Sequence, residues 1–204
     1  MQRETILEVM EKDHDRIIEL LNDFGKCIDI DKQNLKKAFE LFKWDLEKHL
    51  FTEEKVVFTS YDPKDYEEGY KMIPKLMQDH NKIYTQLKEI EKTIKSDKIC
   101  EFNEFKEFFL KHKDFEEEKV YPKFDQELDE STKEMIIKRI NEIKSTDNSF
   151  RNIKVKCSEC GKKIGILNSY YDLKFRRRWI FCSKCYDKLE KRGSPIFKQI
   201  KLEE

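Results

Sequence analysis

Hydrophobic residues recur every three or four positions along most of the first 145 residues, the spacing of amphipathic helices rather than strands. Ile6, Met10, His14, Ile17, Leu21 and Phe24 predict a first helix from about residue 5 to 24, with Gly25 as its stop. Leu35, Phe39, Phe42, Leu46, His49 and Glu53 predict a second that extends toward Phe58, followed by a loop over Thr59-Ser60-Tyr61-Asp62-Pro63. The third runs from about residue 66 to 94 along Tyr70, Ile73, Leu76 or Met77, His80, Ile83, Leu87 and Ile90, with Pro74 expected to kink it near its start. A fourth carries Phe102, Phe105, Phe109, His112 and Glu116 and is expected to end before Pro122. A fifth amphipathic stretch, 131–143, is expected to pack across the others. Four long helices joined by short connections predict an all-α fold over residues 1–145, an up-down-up-down four-helix bundle.

Polar residues interrupt these apolar stripes at regular places. The four histidines of the chain, His14, His49, His80 and His112, each lie on the apolar face of a different long helix. Glu53 and Glu116 follow His49 and His112 by four residues, so each shares its histidine's face. A carboxylate among hydrocarbon requires a counter-ion or a metal. The arrangement also repeats: Asp13-His14, Ile17 and Leu21 are matched by Asp79-His80, Ile83 and Leu87, and His49, Glu53-Glu54 and Val57-Phe58 by His112, Glu116-Glu117 and Val120-Tyr121. One buried histidine is commonly a satisfied core residue, but four of them in phase with two glutamates favour a metal centre. Imidazole suits zinc, copper, iron and nickel, while carboxylate adds a preference for harder ions and can bridge two of them. Six ligands exceed tetrahedral zinc. They suit a dinuclear centre in which each ion takes two histidines, the two glutamates bridge, and positions stay open for a small molecule. Glu54, Glu117 and Glu118 are assigned to solvent, with an orienting role as the alternative for Glu54 or Glu117. Asp13 and Asp79 are likewise assigned to solvent with the same orienting role as the alternative, and Tyr70 and Tyr84 to the core with a pocket-lining role as the alternative.

The order His14, His49-x-x-x-Glu53, His80, His112-x-x-x-Glu116 resembles the hemerythrin-like (HHE cation-binding) family, four-helix bundles with a non-haem di-iron centre. The resemblance spans roughly residues 1–145. It implies two iron ions, with the four histidines as terminal ligands and Glu53 and Glu116 as bridging carboxylates. Oxygen-carrying hemerythrins have a fifth histidine one turn before the position of His80 and an aspartate at the fourth-helix carboxylate; here these are Leu76 and Glu116. In this respect the chain is more similar to the iron-sulfur-repair and iron- or oxygen-sensing branches. The implied ligand is a small diatomic molecule, oxygen or nitric oxide, bound for sensing in stress response or iron-centre repair. An enzymatic activity toward oxygen, peroxide or nitric oxide is the alternative use of the same centre.

The last fifty residues read differently. Cys157-Ser-Glu-Cys160-Gly161 and Cys182-Ser-Lys-Cys185 have the spacing of a four-thiolate metal site, one zinc ion being favoured over a rubredoxin-like iron. Ile164–Leu167 and Leu173–Phe181 are expected as strands of a hairpin turning at Asn168-Ser169, with a short helix over 186–192 stopped by Gly193. Knuckle, hairpin and helix in this order resemble a treble-clef zinc finger. The predicted organisation is therefore a bundle at 1–145, a linker at 146–153 around Ser145-Thr-Asp-Asn-Ser149, and a small α+β zinc module at 154–204. Cys27 and Cys100 are read as small residues near helix ends.

Charge divides along the same boundary. The whole chain balances 42 basic against 42 acidic residues. Residues 151–204 alone carry 15 Lys and Arg against 6 Asp and Glu, a net of +9, which leaves −9 for the remainder. The basic module is read either as a surface for a protein partner or as purely structural, solvated or docked on the acidic bundle; nucleic-acid contact through Phe175-Arg176-Arg177-Arg178-Trp179 is the less favoured reading, and a zinc-finger regulator gated by the bundle the alternative function. A charged fraction of 41% fits long exposed helix faces. No membrane span is expected, no secretory signal is read at the N-terminus, and the expected setting is the cytoplasm.

Overall fold

A computed structural model describes residues 4–28, 32–61, 66–96, 102–145, 154–165, 170–171, 180–182, 184–185 and 188. The chain divides into two compact units, Met1–Lys144 and Ser145–Glu204.

The first unit is helical. Helix α1 spans Ile6–Cys27 and opens on a capping box, in which Thr5 Oγ1 accepts the Glu8 backbone N–H at 3.1 Å and Glu8 Oε2 accepts that of Thr5 at 2.8 Å. Two further orphan donors of its first turn, the N–H groups of Ile6 and Leu7, are accepted by the carboxylate of Asp125, 119 and 118 residues away. Helix α2 (Lys32–Thr52) continues through a π-helical turn, Glu53–Val57, into the short α3 (Phe58–Ser60). Helix α4 (Tyr66–Lys95) runs through Pro74, and α5 (Asn103–Phe115) continues through a second π turn, Glu116–Val120, into α6 (Tyr121–Glu127). Helix α7 (Glu130–Lys144) follows, its N-terminus capped by Asp129 Oδ1 on the Thr132 N–H at 2.9 Å. Helix α1 packs against α2 and α6, α2 against α4, and α4 against α5, which closes the ring of a four-helix bundle. Among the described residues no helix is long and apolar enough to cross a membrane.

Two positions depart from expectation. Gly25 does not stop α1, which continues to Cys27; a Cβ there would meet the Phe102 ring at 2.7 Å, so the glycine serves close approach of a neighbouring element. Pro122 does not end the fourth helix either. It sits in the first turn of α6, directly after the second π turn, where the i→i−4 ladder has already been interrupted.

The core lies in two apolar clusters. One gathers Ile6, Met10, Val57, Phe58, Leu76, Val120, Tyr121, Phe124, Ile136 and Ile140. The other gathers Ile17, Leu21, Phe24, Phe39, Phe42, Leu46, Leu50, Ile83, Leu87, Phe105 and Phe109. On α1 and α4 a histidine stands between residues of the two clusters: Met10, His14, Ile17 and Leu76, His80, Ile83. Helix α7 covers the first cluster with Ile136 and Ile140, and its last residue, Lys144, donates to the Val9 carbonyl at 2.9 Å.

In the second unit, β1 (Lys154–Lys156) pairs antiparallel with β2 (Lys163–Gly165) in the register Lys154↔Gly165, Val155↔Ile164, Lys156↔Lys163. Strand β3 (Tyr170–Tyr171) pairs antiparallel with β4 (Ile180–Phe181). The segment at Ile164 therefore pairs backward across the first cysteine pair, not forward in the expected hairpin. Gly161, at φ 69°, turns the chain, and its N–H donates to the Cys157 carbonyl while Cys157 N–H donates to Lys162 O, each at 2.9 Å. Lys184, Cys185 and Lys188 are helical. The expected turn at Asn168-Ser169, the basic stretch Arg176–Arg178 with Phe175 and Trp179, the remainder of the helix over 186–192, and Cys100 lie outside the described residues, as do the side chains of Tyr70 and Tyr171.

Candidate metal centres

Each helix of the bundle brings its histidine to the level between the two apolar clusters. His14 and His80 are wholly buried, His49 and His112 nearly so, and Glu53 and Glu116 have no exposed surface. Ligand atoms of His14, His49, Glu53 and Glu116 lie within 4.8 Å of one another, and so do those of Glu53, His80, His112 and Glu116. All six residues singled out in the sequence thus form one layer, as two sets of four that share the two glutamates. The span is close to the distance of about 4 Å between opposite ligands bound at about 2.1 Å.

The orientation of the rings is as regular as their placement. Every Nε2 points inward: His49 Nε2 is 3.4 Å from Glu53 Oε2, His80 Nε2 is 3.4 Å from the same oxygen, His112 Nε2 is 3.1 Å from Glu116 Oε1, and His14 Nε2 is 3.5 Å from Glu116 Oε2. Every Nδ1 faces a carboxylate from elsewhere in the bundle. His14 Nδ1 donates to Glu117 Oε1 at 2.8 Å and His80 Nδ1 to Glu54 Oε1 at 3.1 Å. Asp13 Oδ2 stands 3.8 Å from His49 Nδ1 and Asp79 Oδ2 stands 3.7 Å from His112 Nδ1, within ion-pair range. A carboxylate behind Nδ1 fixes the tautomer and leaves Nε2 with a lone pair for a cation.

This corrects the assignment of Glu54, Glu117, Asp13 and Asp79 to solvent. Glu54 is buried, the others are partly covered, and all four back ligand-layer histidines. Their sequence signal is adjacency: each precedes a histidine or follows a layer glutamate, and so flanks the inward face on the side of a neighbouring helix. Glu118 is exposed, as expected, and Tyr84 belongs to the core. Leu76, one turn before His80, fills the first apolar cluster.

The π turns begin at the two layer glutamates. In each, the N–H five residues on returns to the glutamate carbonyl, Phe58 to Glu53 and Tyr121 to Glu116. In a regular α-helix, residues four apart drift by about 40° per step. His49, Glu53, Val57 and Tyr61 make three such steps, as do His112, Glu116, Val120 and Phe124, yet all eight are buried. The wider turn absorbs the drift, and π turns are characteristic of functional sites.

Electrostatics fit a cation. Burial lowers the pKa of His14, but Glu116 and Glu117 overcome it and lift the group to about 9. His80 reaches about 9 against its burial through Glu116, Glu54 and Glu53, and His112 about 10 through Glu116 and Asp79. The Nε2 atoms of all four histidines, Glu53 Oε2 and both Glu116 oxygens are buried without a hydrogen-bond partner among the described residues. So many orphaned buried polar atoms are costly in an apolar interior, and an ion at their centre, displacing the imidazole protons, would satisfy them together.

In the second unit, Cys157, Cys182 and Cys185 are buried, Cys160 is exposed, and their sulfurs lie within 4.8 Å of one another. A tetrahedral ion with Zn–S bonds of about 2.3 Å places sulfurs about 3.8 Å apart, and Cys160 Sγ lies 3.8 Å from Cys182 Sγ. Burial raises the Cys157 thiol, but N–H groups at Cys160, Cys182 and Glu159 bring it down to about 6. Cys185 is pushed up to about 12 by Cys182 first, then by burial and the other thiols. Four thiolates this close repel one another, and a divalent cation is what reconciles them.

A family model described as Hemerythrin HHE cation binding domain matches residues 5–124. No curated protein and no solved structure matches the chain.

Proposed function

The chain belongs to the hemerythrin HHE cation binding domain family, and on that premise we propose that it is a non-haem di-iron protein that takes oxygen or nitric oxide as a small diatomic ligand. The observation that carries this reading is the pair of overlapping four-residue sets whose inward atoms, four imidazole Nε2 and three carboxylate oxygens, have no hydrogen-bond partner among the described residues. Two histidines per ion and two shared carboxylates would hold two irons and leave coordination incomplete. An iron pair bound there supplies redox chemistry and open positions for a small ligand.

The residues of the chain do the rest. Glu54, Glu117, Asp13 and Asp79 hold the rings with Nε2 inward. Leu76, Phe109, Val120 and Tyr121, all without exposed surface, exclude bulk water from the layer. The four cysteines of the second unit would hold one structural zinc, and its basic sequence is the surface we assign to a protein partner.

Metal analysis of protein purified without oxygen tests the premise: about two irons and one zinc per chain are expected from the ligand sets. Zinc alone would remove the redox reading. Stopped-flow mixing of the reduced protein with oxygen or nitric oxide then separates its two forms. A stable spectral adduct supports sensing, and repeated consumption of the gas supports an enzyme.

A further inference from the structure

Behind the four rings of the layer stand four carboxylates, and three of them carry a lysine. Glu54, behind His80, pairs with Lys55 at 3.0 Å, and Glu117, behind His14, pairs with Lys113 at 2.6 Å. Each of these lysines is a near neighbour of its glutamate in sequence. Asp13, behind His49, pairs at 3.0 Å with Lys144, which comes from α7. Its counterpart Asp79, behind His112, has no lysine or arginine within ion-pair range among the described residues. The repeat that relates the two halves of the bundle includes no second α7, and the unmatched cation comes from there.

Lys144 is the last residue of α7 and of the first unit. Its ammonium bridges consecutive turns of α1, donating to the Val9 carbonyl at 2.9 Å and standing 3.0 Å from Asp13 Oδ1. The other Asp13 oxygen, Oδ2, lies 3.8 Å from His49 Nδ1. Lysine and histidine therefore use different oxygens and do not compete. Behind the lysine, Ile136 and Ile140 anchor α7 without exposed surface.

A cation on His49 Nε2 makes Nδ1–H a stronger donor and draws it toward Asp13. A carboxylate already pinned by Lys144 accepts it with less loss of side-chain freedom. The relation is reciprocal: whatever the end of α7 contributes to metal binding, metal binding returns to the end of α7.

Resting on the di-iron reading, we propose that Lys144 is a positioning residue that holds Asp13 behind His49, and so couples metal binding at His49 to the order of the last turn of α7, where the chain passes from the first unit into the second. The other half of the repeat lacks this ion pair, so the coupling belongs to His49 and not to His112.

The full chain is compared with Lys144→Met, which keeps the length of the side chain and removes its charge. Ferrous affinity, read by competition with a chromophoric chelator, should fall about fivefold in K144M, the low end of the range for coupled sites. The loss should vanish when position 13 already carries Asp13→Asn and persist when position 79 carries Asp79→Asn, because only Asp13 transmits it. Amide hydrogen exchange at residues 141–144 should slow about fivefold more on iron loading in the wild type than in K144M, a difference that a lysine with a merely stabilising role leaves at zero. Equal affinity and equal iron-dependent protection in two proteins that both hold two irons would overturn the role of Lys144 and leave the di-iron reading intact. A loss of affinity that persists in full beside Asp13→Asn would overturn the route through Asp13. Absence of iron from the wild-type bundle would overturn both readings. Should K144M fail to fold, Asp13→Asn removes the other partner of the same ion pair: loss of the extra protection at residues 141–144 supports the proposal, and its persistence overturns it.

Discussion

The bundle and the cysteine module both gather ligands for a cation, but they stand in opposite relation to it. In the bundle, the ligand layer is one polar level between two apolar clusters, and the helices have ample hydrocarbon to bury on either side. In the module, the buried side chains among the described residues are Cys157, Cys182, Cys185 and Ile164. Its strands are two or three residues long. The described residues of this unit bury little hydrocarbon against their chain entropy, so an ion held by the four cysteines would supply folding energy there. The bundle has hydrocarbon to hold its ligand layer in place; for the module we propose that an ion on the four cysteines does that work.

The sharpest way to break this contrast is to remove the ion from the module. Cys157→Ser, or a strong chelator, should unfold residues 154–204, because structural zinc in such segments contributes about 10–16 kcal/mol. Limited proteolysis should then cleave within the module while a fragment covering residues 4–144 persists, and protection of both units would refute the contrast. For the bundle the damaging change is in hydrocarbon. Phe109, fully buried against His14 at 6.4 Å, should cost about 3–5 kcal/mol as Phe109→Ala, read from urea unfolding.

A third expected effect is in pH, and its sign differs with the metal. His14, His80 and His112 have folded pKa values of about 9, 9 and 10 against 6.5 for an ordinary histidine. Because the folded values lie above the unfolded one, their contribution to metal-free stability is complete below about pH 6.5 and is lost as pH rises through 9 to 10. Melting of the chelated bundle, followed by helical ellipticity, should therefore fall in temperature over that window. Metal binding must expel these protons, so iron affinity should rise across the same window. Parallel trends would refute the protonation pattern. The smallest of these effects sits one bond behind the ligands: Asp79→Asn should lower iron affinity by about tenfold with little change in the metal-free melting temperature.

How much of this is legible in the sequence follows from what each residue must do. Helix spans and the inward faces of His14, His49, His80 and His112 follow from 3.6-residue periodicity, because core packing reads only which face a residue is on. The four-cysteine spacing is legible for the same reason, since the spacing itself brings the thiols together. The carboxylates behind the rings are legible only as neighbours of the ligands, not in which ring each one backs. Glu117 follows the layer glutamate Glu116, but that it reaches His14, 103 positions away, depends on how the helices pack. The π turns leave a trace in consecutive four-residue steps, which a reading tuned to amphipathic faces absorbs without comment. Gly25 and Pro122 mislead because their usual punctuation is overridden, by the Phe102 ring in one case and an interrupted ladder in the other. The backward pairing of β1 with β2 depends on the positive φ of Gly161, which takes effect before any strand preference downstream.

The cap that Asp125 places on the first turn of α1 has a bearing on how the chain is born. Ile6 leaves the ribosome 119 residues ahead of the carboxylate that completes its helix end, an interval of roughly 6 to 24 s at ordinary synthesis rates. The last ligand of the layer, Glu116, emerges only shortly before Asp125. A cation captured by a nascent chain would find half a cage, so loading should await the nearly finished bundle.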